Sequence, residues 1–99
     1  MSGSDSKTIG NSIEETKRYH LLYLRAVSNP MRRRMLRAIR DGCGTIEDLR
    51  SATGLDTDAV KWHLSVLEHG FCVEKDVEDG KIFYKLTREG RVIDYLDQS

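Results

Sequence analysis

From residue 12 to residue 69 the apolar positions recur mostly at three- and four-residue spacing, and from Phe71 onward they alternate; this predicts a series of helices followed by a hairpin. Ser12 with Glu15 three residues later is a capping-box signature, and it opens a helix that runs to about Val27. On a helical wheel this segment has two apolar sides, Ile13, His20, Leu21, Leu24 and Val27 on one and Tyr19, Leu22, Tyr23 and Ala26 on the other. A terminal helix of a small domain rarely buries two faces within its own chain. The Tyr19, Leu22, Tyr23, Ala26 side is therefore expected to meet a partner chain, with Tyr95 of the last helix contributing.

Asn29 followed by Pro30 reads as N-cap and first residue of a second helix ending near Asp41-Gly42, since proline has no amide hydrogen to lose at that position. Met31, Met35, Ala38 and Ile39 form its core stripe. Thr45 caps a short third helix to about Ala52, with Ile46 and Leu49 inward, and Thr53-Gly54-Leu55 is a tight turn. Asp56 caps a fourth helix to about His69, with Val60, Leu64 and Leu67 inward, His63 at the margin and Gly70 as the left-handed residue after its end. Asp79-Gly80 then predicts a two-residue type I′ hairpin turn. Counting outward from it pairs Val77 with Ile82, Lys75 with Tyr84 and Val73 with Leu86 on the core face, and Glu78 with Lys81, Asp76 with Phe83, Glu74 with Lys85 and Cys72 with Thr87 on the other. Thr87 caps a last helix whose apolar positions are Val92, Ile93, Tyr95 and Leu96. Four helices, a two-stranded wing and a closing helix make an α+β, mostly helical winged helix-turn-helix. It is expected to occupy residues 12–98 as one domain behind a disordered tail, residues 1–11.

Composition narrows the function. Ninety-nine residues hold one domain, and no apolar run approaches the roughly 20 residues of a membrane span. Two cysteines, Cys43 and Cys72, are too few for a disulfide scaffold and make a reducing cytoplasm the expected setting. The net charge of zero conceals a dipole: residues 1–40 carry nine Lys/Arg against three Asp/Glu, and residues 41–99 carry seven against thirteen. Between Lys17 and Arg40 there are eight bases and no acid, the footprint of a polyanion or an acidic protein surface. No nucleophile elbow, phosphate loop, catalytic carboxylate pair or histidine-rich metal motif occurs, so an enzyme is not expected.

On helix 56–69, Asp58, Lys61, Trp62 and Ser65 lie off the apolar stripe. An exposed tryptophan can contact thymine methyls or stack on a sugar; the alternative is that Trp62 folds over a neighbouring element. Thr57 and Ser65 can donate to phosphates, and Lys61 can reach a phosphate or a guanine. Asp58 either accepts from cytosine or simply favours the helix N-terminus by its charge. Arg33, Arg37 and Arg40 form a basic stripe on the second helix, for phosphates or for dimer-edge ion pairing to the acidic half, whereas Arg32 is expected in a structural ion pair. In the wing Lys81 and Lys85 are the natural phosphate ligands, but Glu78 and Glu74 across from them are expected to cancel much of that charge. Cys43 in its glycine-flanked loop and Cys72 on the outer wing face are either small packing residues or redox-sensitive thiols.

These residues resemble the ArsR-like winged helix-turn-helix regulators. LRAVSNPMRRRMLRAI is similar to their D-P-x-R-x-x-I-L helix pair at Asn29, Pro30, Arg32, Met35 and Leu36. TIEDLRSATGLDTDAVKWHLSVLEHGFCVEK is similar to their central block at Asp48, Leu49, Gly54, Leu55, Val60, His63, Leu64, Leu67 and Gly70, and DGKIFYKLTREG resembles the wing and the start of the closing helix. The resemblance implies a homodimeric transcription regulator that lays helix 56–69 in the major groove of double-stranded DNA. Metal-sensing members carry C-x-C where Thr45 and Glu47 stand, and the stretch REGRVIDYLDQS has no histidine, so no metal or other cofactor is expected. A winged helix used purely as a protein-protein module is the competing reading, and the identity of any small effector is left open.

Overall fold

A computed structural model describes residue 10 and residues 12–96. The expected tail, apart from Gly10, and the last two residues assigned to the domain lie outside these. Helices α1 (Ile13–Ser28), α2 (Pro30–Arg40), α3 (Ile46–Thr53) and α4 (Thr57–His69) precede strands β1 (Val73–Glu78) and β2 (Lys81–Leu86); a 3-10 turn, Glu89–Val92, then leads into α5 (Ile93–Leu96). The expected winged helix-turn-helix is what is observed.

Local chemistry sets most boundaries. The Ser12 hydroxyl accepts from the Glu15 amide, Asn29 Oδ1 accepts from the Met31 and Arg32 amides, and Asp56 Oδ1 accepts from the Ala59 amide, each satisfying helix-start donors that have no carbonyl partner. Thr45 and Asp48 form a reciprocal capping box on α3. Asp79 and Gly80 both have positive φ, 52° and 76°, as a type I′ turn requires, and the strand register matches the expected pairs from Val73–Leu86 to Glu78–Lys81.

The core joins all the helices and the base of the wing: Ala26, Met35, Leu36, Leu49, Val60, Leu67, Cys72 and Ile93 are fully buried. Three expectations about it need correction. The inner wing face is buried only at its base, by Val73 and Tyr84, because the hairpin projects beyond the helices and leaves Val77 and Ile82 exposed. Cys72 lies inside, at the strand's entry, instead of on the outer face. Gly70 has φ −89°, and the left-handed position after α4 falls to Phe71, φ 65°. Glycine is needed at position 70 for another reason: an added Cβ would stand 2.5 Å from Ala26 Cβ and 2.8 Å from the Leu22 carbonyl oxygen, so the end of α4 packs closely on α1 there.

The same approach settles which side of α1 is free. Ala26 is fully buried, Tyr23 packs against the core, and Tyr19 meets Phe71 edge to face at 5.2 Å. Of the side expected to meet a partner, Ala26 is thus buried in the protomer, and Tyr19, Leu22 and Tyr23 are half-buried there. The exposed stripe is the opposite one, with Ile13 76%, Leu21 68% and Leu24 55% accessible. The wheel shows two apolar sides but says nothing about which one α4 covers; Gly70 decides it. Tyr95 is exposed, as expected, with Leu96 beside it in the chain.

Candidate nucleic-acid interface

Helix α4 is amphipathic in the simplest sense. Val60, Leu64 and Leu67 anchor one stripe in the core, and the residues between them are thereby fixed outward. Asp58, Lys61 and Trp62 are exposed, while Thr57 and Ser65 are half-buried, with Ser65 Oγ 3.4 Å from His69 Nδ1. Trp62 keeps 53% of its surface in solvent. The rest is covered in part by α2: the ring meets His63 edge to face at 5.0 Å and lies beneath the Arg32 guanidinium at 5.7 Å.

Arg32 is the residue whose role sequence reasoning missed. It is 5% exposed and pairs with no carboxylate among the described residues, contrary to the expected ion pair. Its Nε donates to the Ala26 carbonyl at 3.0 Å and Nη2 to the Arg25 carbonyl at 3.0 Å, closing the C-terminal end of α1. Its Nη1 donates to His63 Nδ1 at 3.2 Å. A guanidinium only donates, so Nδ1 of His63 carries no proton. Burial, with the Arg32 charge second, holds the His63 pKa below its usual value, and burial together with nearby Arg25 lowers that of Arg32. The asparagine cap that fixes the start of α2 is the available signal, since it places residue 32 one turn in, facing the end of α1.

The basic stripe on α2 is largely engaged within the chain. Arg33 Nη1 donates to the Val27 carbonyl at 3.0 Å. Arg40 pairs with Asp41 at 3.2 Å and with Asp94 of α5 at 3.1 Å, and hydrogen bonds to these two carboxylates raise its pKa. Arg37 is half-buried and has contacts of its own. The acids that the stripe lacks locally come from the helix cap and from a helix 54 residues further along the chain.

The wing separates its charges by face. Lys85 is held by Asp76 at 3.1 Å and Glu74 at 3.7 Å; hydrogen bonding to Asp76 raises the lysine pKa, and the same bond lowers that of the carboxyl. Asp76, offset from the expected cross-strand partner, is the closer of the two. Lys81 stands across from Glu78 in register, as expected, but forms no ion pair with it. On the other face Lys75 lies 5.9 Å from the Tyr84 ring. That face opens on a cleft of about 440 Å³ between α4 and the wing, lined by Lys61, Ser65, Glu68, Lys75, Ile82 and Tyr84 among others. Sequence reasoning gives Lys75 no role, although strict alternation along β1 separates it from Glu74 and Asp76.

Thiols and metals offer little chemistry here. Burial pushes the Cys72 pKa up to about 12, so it supplies no thiolate, while Cys43 is half-buried in its loop. Thr45 is occupied as a cap, and no cluster of three or more His, Cys, Asp or Glu side chains suited to a metal occurs among the described residues. No helix among them is long and apolar enough to cross a membrane.

No family model and no curated protein matches the chain. Solved structures do match. The homodimeric winged helix-turn-helix DNA-binding domain of Mb0332 from Mycobacterium bovis, a possible ArsR-family transcriptional regulator, is 20% identical over 97% of this chain and 86% of that one, with a TM-score of 0.76. HlyU from Vibrio cholerae is 24% identical over 85% of this chain and 94% of its own, with a TM-score of 0.70. The transcriptional repressor BigR from Xylella fastidiosa is 22% identical over 85% and 88%, with a TM-score of 0.66.

Proposed function

The chain has the winged helix-turn-helix fold of ArsR-like transcription regulators, and we propose that it is itself a sequence-specific double-stranded DNA-binding transcriptional regulator that acts as a homodimer. The observation that carries this reading is Trp62, an aromatic ring kept half in solvent on the second helix of a helix-turn-helix with Lys61 beside it. An apolar ring with a cation beside it suits both base edges and the phosphates that flank them. In a major groove, Trp62 would meet thymine methyls or sugar, Lys61 a guanine or phosphate, and Thr57 and Ser65 phosphate oxygens, with Asp58 at the helix start able to accept from cytosine. Lys75, on the wing face that borders the cleft, would supply a phosphate contact beyond it, and Lys81, beside the hairpin turn on the opposite face, a separate one.

The second protomer docks on the free stripe of α1, Ile13, Leu21 and Leu24, with Tyr95 of α5. Two α4 helices then read half-sites about one turn of DNA apart, about 34 Å. The cytoplasm is the proposed place of action, with no resident cofactor and no enzymatic step.

Selection of bound duplexes from a random pool at low salt tests the reading. A related pair of half-sites should be enriched, and affinity for the winner should fall steeply with salt. A pool that stays random, or binding without a salt slope, defeats the proposal and leaves the protein-protein module in its place.

A further inference from the structure

The Arg32 contacts join three parts of the fold. One guanidinium donates to the Arg25 and Ala26 carbonyls in the last turn of α1 and to the acceptor nitrogen of His63 on α4, and it lies over the Trp62 ring. It is 5% exposed and belongs to α2, so it cannot itself reach a duplex lying on α4. Trp62 is 53% exposed, and His63 and Arg32 are its ring and cation partners among the described residues. A ring so exposed would otherwise sample several rotamers, and a base contact made by a mobile side chain loses part of its discrimination to ordering entropy.

We propose that Arg32 is a positioning residue for DNA reading: through His63 it fixes the pose of Trp62, so that base discrimination depends on a side chain that touches no nucleic acid. The proposal rests on the DNA-reading role given to α4 above. It also assigns His63 a definite state, neutral with its proton on Nε2, because only that tautomer accepts from Arg32 at Nδ1.

Trp62 is the single tryptophan of the chain, so its fluorescence reports the clasp directly, with or without DNA. Two variants separate the contacts. Arg32→Lys keeps the charge and can satisfy one carbonyl of α1 but not the three acceptors together. His63→Phe leaves Arg32 on the α1 carbonyls and keeps a ring beside Trp62 while removing the acceptor. Both should retain the helical circular dichroism spectrum, shift the tryptophan emission and raise its quenching by acrylamide. Their preference for a selected duplex over a scrambled one should fall by about 5- to 150-fold, the range for one lost base contact. The dependence of affinity on salt should stay as in the wild type, because no phosphate ligand is lost. The double variant should be no worse than the more affected single one.

Unchanged emission and quenching in both variants overturns the clasp. So does wild-type discrimination from a variant whose tryptophan has moved, and a salt slope shallower by about one unit in Arg32→Lys would make Arg32 a phosphate ligand instead. If the wild type selects no duplex at all, the DNA reading fails, and the fluorescence measurements still uphold or overturn the clasp on their own.

Discussion

Replacing Leu21 and Leu24 together by glutamate tests the assignment of the α1 outer stripe to a second protomer. Full burial of a leucine stabilises by about 1.5 to 3 kcal/mol. With 68% and 55% of their surfaces free in the protomer, each can still contribute about 1 to 2 kcal/mol on association. A two-fold interface contains each residue twice, so the pair removes about 4 to 8 kcal/mol, at least about a thousandfold in the dimer dissociation constant. Glutamate is nearly as good a helix former as leucine, and a carboxylate at position 21 would stand one turn from Lys17, so the helix itself should survive. Sedimentation velocity at micromolar concentration should then show a dimer for the wild type and a folded monomer for the variant. Tyr23→Glu is the contrasting perturbation: it drives a carboxylate into the packed inner side and should unfold the protein instead of dissociating it. A double variant that remains dimeric, or that unfolds as Tyr23→Glu does, refutes the assignment of faces.

Gly70→Ala should destabilise the fold by about 1 to 3 kcal/mol, read as a lower urea midpoint, because its methyl group would press on Ala26 Cβ and the Leu22 carbonyl. Lys75→Ala and Lys81→Ala should each make the salt slope of DNA binding shallower by about 0.9, whereas Lys85→Ala, whose charge is already shared with Asp76 and Glu74, should leave it unchanged. The folded state holds the His63 pKa below its ordinary 6.5, so the unfolded chain takes up that proton first; stability from this group is complete above pH 6.5 and declines as the pH falls below it. Trp62 emission should follow the same acid transition in the wild type and lose it in His63→Phe.

Features specified within a few residues were legible in the sequence. The caps at Ser12, Asn29, Thr45 and Asp56 and the Asp79-Gly80 turn each rest on one local hydrogen-bonding or backbone rule, and the hairpin register follows by counting. What a wheel or a spacing cannot carry is the identity of the neighbour. One of Arg40's two partners, Asp94, is distant along the chain and so out of reach of a spacing argument, and cross-strand register pairs Lys81 with Glu78 without making an ion pair of them. Arg32 reads as half of an ion pair because a buried guanidinium usually needs an anion. Carbonyls at the end of α1, carrying the negative end of the helix dipole, serve in its place.

These corrections bear on the mechanism together. The inner side of α1 is pressed onto α4 at Gly70, and the end of α1 is tied through Arg32 to His63 one residue from Trp62. The helix proposed to hold the partner protomer is thus fixed at two points to the helix proposed to read DNA. In the proposed dimer a rotation of one protomer against the other would carry both α4 helices with it, since Gly70 lies against Ala26 and the Leu22 carbonyl and Arg32 ties the end of α1 to His63. Half-site spacing then becomes a property of the α1 interface. An effector or interface change that tilts the two α1 helices would act by altering the distance between the two α4 helices, without any contact to DNA or to the residues that read it.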